Sequence, residues 1–271
     1  MLMKEYIFPK NGIYYRTNDF QKDRQTIVFI HGLSGNSSAW EHYEQEFMAR
    51  YNVLSIDLRG HGCSRKYLKE KDYDMDLFID DIEALFDFLR IEKCVITSHS
   101  FGSIISVGLI QRDPGRIQSA IFLAPAFTSK RALSTLFMRL VSGTLAFFSR
   151  ALPISDKPGK HIDYSRFLPT HDWDVRRIWT DVSNTGVAIY FFCLHSLYRS
   201  MDEGSFYGLH LPTLIIHGKR DSYVPLQHSI KASKHIEGAR LAVLPLADHM
   251  LVLNYPTEIS NIMADFLDSS V

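Results

Sequence analysis

The chain has 271 residues, 46% hydrophobic and 22% charged, with Lys+Arg and Asp+Glu equal at 30 each. That length suits one large domain or a core with an insertion, the composition is globular, and the charge balance argues against a nucleic-acid binder, which normally carries a basic excess. Cys63, Cys94 and Cys193 lie too far apart for a disulfide framework or a metal-ligand motif, so a reducing, cytoplasmic compartment is the expectation.

Residues 1–10 contain Glu5 and Pro9 and no apolar core, so they do not read as a signal peptide. Residues 4–8 and 13–18 read as a hairpin across Pro9-Lys10-Asn11-Gly12. Residues 26–30 and 52–56 are continuous apolar runs, the pattern of strands buried on both faces. Between them residues 38–50 have helical spacing. Residues 74–89 place Leu77, Phe78, Ile82, Leu85, Phe86 and Leu89 on one helical face, with acidic residues toward the N-terminal half, where the macrodipole favours them. Residues 94–97 predict a strand, 103–112 a helix and 120–123 another strand. The alternation then stops. Residues 127–208 read mostly as helix, and no apolar stretch there reaches membrane-spanning length. Strands return at 213–217 and 241–244, and a helix near 255–267 closes the chain. This order predicts an α/β class with a mostly parallel sheet and a helical insertion, and in such sheets ligands bind beyond the carboxyl ends of the strands.

The residues at those strand ends are suggestive. Ser98-His99-Ser100-Phe101-Gly102 has small residues two before and two after Ser100, as a sharp strand-to-helix turn exposing a nucleophilic serine requires. The pentapeptide alone is a weak signal; a plain Ser/Gly turn gives the same pattern. His31-Gly32-Leu33-Ser34-Gly35 is either a glycine-rich turn or a loop presenting the Leu33 amide, paired with that of Phe101, to a developing oxyanion. Asp57-Leu58-Arg59-Gly60-His61-Gly62-Cys63-Ser64 is expected to order a loop rather than perform chemistry. Asp221 sits in a turn after residues 213–217, either as a partner for an imidazole or as a helix cap. His249 comes after residues 241–244, so the chain order Ser, Asp, His is available. Asp248, adjacent to His249, is poorly placed to face its imidazole.

Taken together, Ser-His-Ser-Phe-Gly, Asp-Leu-Arg-Gly-His-Gly, Gly-x-x-Asp-x-x-Val-Pro and Asp-His resemble the α/β-hydrolase superfamily, in the branch with a helical cap. The resemblance runs from His31 to His249. It implies a mostly parallel sheet of about eight strands, a core of residues 1–126 and 209–271, and a cap of residues 127–208 inserted after the sixth strand. It further implies Ser100 as nucleophile, His249 as general base, Asp221 as its partner, and the Leu33 and Phe101 amides as the oxyanion hole. Ser98 departs from the usual glycine but is small. A serine nucleophile argues against dehalogenase and epoxide-hydrolase chemistry, which the family pairs with aspartate. No metal and no cofactor are implied.

The leading expectation is an esterase acting on a small acyl ester. A thioesterase, a lysophospholipase, an esterase for methyl esters on an acyl carrier, a carbon–carbon bond hydrolase and a non-catalytic ligand receptor remain open. For the substrate pocket, His31, Gly32, Trp179 and Phe191 are candidates, most other cap aromatics being expected to join helices. Residues 126–205 hold ten basic and seven acidic residues. That excess could steer an anionic substrate or an acidic carrier protein, although a solvated helix face is the simpler reading. Membrane association is not expected.

Overall fold

A computed structural model describes residues 2–126 and 133–269. The start of the predicted cap, residues 127–132 with Lys130 and Arg131, lies outside the described residues. Eight strands form one sheet: β1 Lys4–Phe8, β2 Ile13–Thr17, β3 Thr26–Ile30, β4 Asn52–Ile56, β5 Cys94–His99, β6 Ile117–Leu123, β7 Thr213–Gly218 and β8 Arg240–Leu244. Their spatial order is β1-β2-β4-β3-β5-β6-β7-β8. The β1–β2 hairpin joins β4 antiparallel, and every other pairing is parallel.

The continuous apolar runs follow from two covered faces. Val28, Ile30, Ile96 and Phe122 pack on one side of the sheet; Ile27, Phe29, Val95 and Ile121 pack on the other, as a period of two requires. The helices of the core are α1 Glu41–Phe47, α2 Met75–Leu89 and α3 Phe101–Arg112. Helix α2 buries Phe78, Ile82, Leu85 and Phe86 and stops at Arg90, whose φ of 56° gives a left-handed C-cap. Between β6 and β7 lies the helical insertion, with α4 Leu133–Ser149, α5 Val175–Thr185, α6 Val187–Ser200 and α7 Glu203–Tyr207. Helices α8 Leu226–His235, α9 Leu251–Asn254 and α10 Pro256–Ser269 complete the chain.

Three details differ from the sequence reading. The helix expected over 38–50 is a 3₁₀ turn, Ser37–Trp40, followed by α1. Asn36 caps that turn by accepting from the Ser38 amide at 3.0 Å, and Trp40 is buried beneath it. Strand β6 begins at Ile117 rather than 120, because backbone pairing with Cys94 continues past an irregularity although Gln118 faces outward. In the insertion, α4 buries Thr135, Ser142, Ala146 and Ser149 while Leu133, Phe137, Leu140 and Phe148 face solvent. The aromatics of α4 therefore do not glue the helices together; among those of the insertion, Tyr164, Phe192 and Phe206 are buried.

Candidate active site

Ser100 lies between the end of β5 and the first residue of α3, with φ 48° and ψ −113°. A non-glycine residue at positive φ is strained, and it persists only where its surroundings fix it. Here the Ser100 amide donates to the Leu123 carbonyl at 3.0 Å, and the Ser103 amide donates to the Ser100 carbonyl at 2.9 Å. Gly102 is required by close approach: a Cβ there would stand 2.8 Å from the carbonyl oxygens of both Ile30 and His31. Ser98 fits at the position before the turn. It is fully buried, and its hydroxyl has no hydrogen-bond partner among the described residues.

The loops after β7 and β8 bring Asp221 and His249 to Ser100. His249 Nε2 lies 2.9 Å from Ser100 Oγ, and His249 Nδ1 lies 2.7 Å from Asp221 Oδ2. Asp221 Oδ1 accepts from the amides of Tyr223 and Val224, each at 2.8 Å. A further imidazole nitrogen, His217 Nε2, stands 3.3 Å from Asp221 Oδ2. Burial alone would raise the Asp221 pKa, but hydrogen bonds from His217 and His249, the His249 charge and the Val224 amide together hold it below the ordinary carboxylate range. Asp248 turns away from the imidazole: its oxygens accept from the amides of Met250 at 2.9 Å and Asp172 at 3.2 Å.

Three other histidines near the site are buried. His31 Nε2 accepts from the Leu58 amide at 3.0 Å, so Nδ1 carries the proton that reaches the Gly32 carbonyl at 2.7 Å. Burial lowers the His31 pKa to about 4. His61 is lowered to about 3 by burial and by His31. His99 is lowered to about 3, again by burial and then by His249, and its Nε2 donates to the His249 carbonyl at 3.0 Å. Asp57 ties the neighbouring loop. Its Oδ1 accepts from the Ser37 amide and its Oδ2 from the Cys63 amide, both at 2.7 Å.

Ser100 and His249 open onto a cavity of about 470 Å³. Leu33, Ile178, Tyr190 and Leu194 supply apolar wall, and His31 and Gly32 border it. Phe101 begins α3, with its ring buried against Phe78 at 5.4 Å between centroids, so only its backbone is near the site. The structure places Trp179 and Phe191 elsewhere. Trp179 is 65% exposed, one helical position around α5 from Ile178, which faces the cavity. Phe191 packs against the core, and the adjacent Tyr190 takes the wall position. One side of the cavity is polar: Arg177 Nη1 and Asp181 Oδ2 pair at 2.8 Å, and Tyr164 donates to Asp181 Oδ1 at 3.0 Å. Burial raises the Asp181 pKa to about 6 against the lowering effect of Arg177 and Tyr164.

Sequence reasoning missed Asp172, in the insertion before α5. Its carboxylate accepts from the His249 amide at 2.8 Å and from the Ser222 amide at 2.8 Å and hydroxyl at 2.6 Å. These donors are mostly backbone groups, which leave no pattern in side-chain spacing. Asp57, Cys63 and His161 offer donor atoms within 4.8 Å of one another, away from the cavity. Both Asp57 oxygens there already accept backbone amides. Among the described residues no helix is long and apolar enough to cross a membrane.

The chain is 24% identical to 2-hydroxymuconate semialdehyde hydrolase of Pseudomonas sp. (strain CF600), covering 89% of this chain and 86% of that protein. It is 25% identical to the AB hydrolase superfamily protein YisY of Bacillus subtilis, covering 98% and 100%. Among solved structures, a carboxylesterase of the thaumarchaeon Nitrososphaera gargenis superposes with a TM-score of 0.71 at 22% identity, over 98% of each chain. At these identities the structural likeness is one of fold. Residues 25–256 match the family described as the alpha/beta hydrolase fold, and the chain belongs to that family.

Proposed function

We propose that the protein is a serine hydrolase that cleaves small carboxylic esters through an acyl-enzyme on Ser100. The observation that carries this reading is the continuous hydrogen-bonded line from Asp221 through His249 to Ser100 at the floor of a largely apolar cavity. In this reading His249 Nε2 takes the Ser100 proton as Oγ attacks the ester carbonyl, then returns it to the departing alcohol. Asp221 holds the proton on Nδ1 and stabilises the imidazolium. The Leu33 and Phe101 amides receive the oxyanion, each such donor contributing roughly 3 kcal/mol to the transition state. Water, deprotonated by the same imidazole, then releases the acid. The reading divides the chain into a core of residues 1–126 and 209–271, which carries the three reacting groups, and a cap of residues 127–208, which walls the acyl site.

The test is labelling by a fluorophosphonate together with turnover of short p-nitrophenyl esters. Wild-type protein labels at Ser100 and turns over; Ser100→Ala does neither. Ester hydrolysis retained by Ser100→Ala would reject the assignment. A second reading, hydrolysis of a carbon–carbon bond in a dienol diketone, uses the same groups, and the likeness to a 2-hydroxymuconate semialdehyde hydrolase favours keeping it. Preference for such a substrate over short esters would select it.

A further inference from the structure

We propose that Asp172 is a positioning residue for the base: a carboxylate from the helical insertion that holds the His249 loop and the Asp221 loop in register. This rests on the reading of His249 as base and Asp221 as its partner.

The His249 loop hangs from β8, which is an edge strand paired, among the described residues, with β7 alone and with Arg240 and Val243 exposed. A loop leaving an edge strand is fixed less firmly than one leaving a central strand, because the strand is held from one side. The peptide of His249 is instead gripped at both ends. Its carbonyl accepts from His99 Nε2 at 3.0 Å, a contact within the core. Its amide donates to Asp172 Oδ1 at 2.8 Å, a contact to the insertion. The other oxygen, Asp172 Oδ2, accepts both the amide and the hydroxyl of Ser222, the residue next to Asp221. One carboxylate thus reaches the backbone beside the acid and the backbone of the base.

The grip is stiff for two reasons. Asp172 is only 3% exposed, so losing any of its donors leaves a buried charge short of a partner, which is costly. The segment bearing it is itself fixed. The Thr170 amide donates to Asn254 Oδ1 at 3.1 Å, Asn254 Nδ2 donates to the Thr170 carbonyl at 2.8 Å, and the Tyr223 hydroxyl donates to the Asp172 carbonyl. A residue that merely stapled the insertion down would affect stability and substrate affinity. A residue that sets the imidazole's position affects the chemical step, where a displacement of about 1 Å costs about 100-fold.

Asp172→Asn tests this, because its amide nitrogen cannot accept from Ser222 if its oxygen stays on His249. With p-nitrophenyl acetate, whose acyl group is too small to need the cavity walls, the proposal expects kcat to fall by about 10- to 100-fold while KM stays within about threefold. The fluorophosphonate labelling rate should fall by a similar factor, with unchanged far-ultraviolet circular dichroism. Ser222→Ala is expected to lower kcat several-fold in the wild-type background and to have no further effect in Asp172→Asn, since interacting residues are non-additive. A kcat of Asp172→Asn within threefold of wild type, or additive effects of the two substitutions, would overturn the proposal. Should Asp172→Asn fail to fold, Ser222→Ala decides alone: reduced kcat at unchanged KM supports the assignment, and unchanged kcat overturns it. A wild-type protein that neither labels nor turns over rejects the functional reading itself, a result distinct from active wild type with indifferent variants.

Discussion

Asp221→Asn is nearly isosteric, and the surroundings of Asp221 dictate how the new amide must lie. Oδ1 receives two backbone amides, from Tyr223 and Val224, so an asparagine keeps its oxygen there and turns its NH₂ toward His249. Nδ1 must then accept, which moves the imidazole proton to Nε2. A protonated Nε2 points at Ser100 Oγ, 2.9 Å away, and cannot take its proton. The tautomer is wrong while the geometry is intact. In serine hydrolases generally, such a change costs about 10⁴ in kcat, or about 5.5 kcal/mol at 1.36 kcal/mol per tenfold. Asp221→Ala forces no tautomer, but it strands the two amides and an imidazole N–H, so it should be the less stable protein without being the less active one. Initial rates with p-nitrophenyl acetate and thermal midpoints for both variants give the comparison. Asp221→Asn with more than a tenth of wild-type kcat would refute the argument, because the His249 proton would then be placed by something other than Asp221.

Acid sensitivity follows from the buried histidines. His31, His61 and His99 have folded pKa values of about 4, 3 and 3 against about 6.5 unfolded. Between pH 6.5 and 4 the unfolded chain binds protons that the folded chain refuses, so stability falls as pH falls, on the order of 1 kcal/mol per pH unit for each histidine. Asp221, with a depressed folded pKa, works in a lower window: its contribution is present above about 3.9 and is lost as pH falls through the folded value. Urea midpoints at pH 7.5, 6 and 5 should decline steadily, and a flat series contradicts the assignment of neutral buried imidazoles. Ser98→Ala removes a buried hydroxyl without a partner among the described residues, so it should raise Tm by about 2–4 °C with kcat unchanged; a lower Tm would mean that the hydroxyl is satisfied. Tyr190→Ala should change KM for longer acyl esters, because Tyr190 walls the cavity. Trp179→Ala should not, because that ring is in solvent.

The features legible in the sequence were those that local chemistry forces. Strands buried on both faces leave unbroken apolar runs, as at Thr26–Ile30, and the sharp turn at Ser100 demands small neighbours such as Gly102. The chain order of Ser100, Asp221 and His249 was legible because each comes just after a strand in a parallel sheet. The insertion resisted reading because side-chain type says little about which way its helices face. Helix α4 turns Thr135 and Ser142 inward and Phe137 and Phe148 outward, the reverse of an ordinary amphipathic pattern. Trp179 and Phe191 were each one position from a residue that does wall the cavity, an error of about 100° around a helix. Asp172 could not be found at all from spacing, since it is identified by two backbone amides distant in sequence.

The bond from the His249 amide to Asp172 also bears on how such proteins can be rebuilt. Caps are attractive units for exchange, since they line the substrate cavity while the reacting groups come from the core. In this chain a graft with its seam drawn only at the ends of the insertion would carry away the oxygen that accepts from the His249 amide. A chimera that changes acyl preference without losing turnover should therefore retain residues 170–174 from the host, or import a donor segment that offers a carboxylate at the same place. Residues 170–174 and the loop bearing His249 are to be transplanted as one part, although they are separated in the chain by β7 and β8.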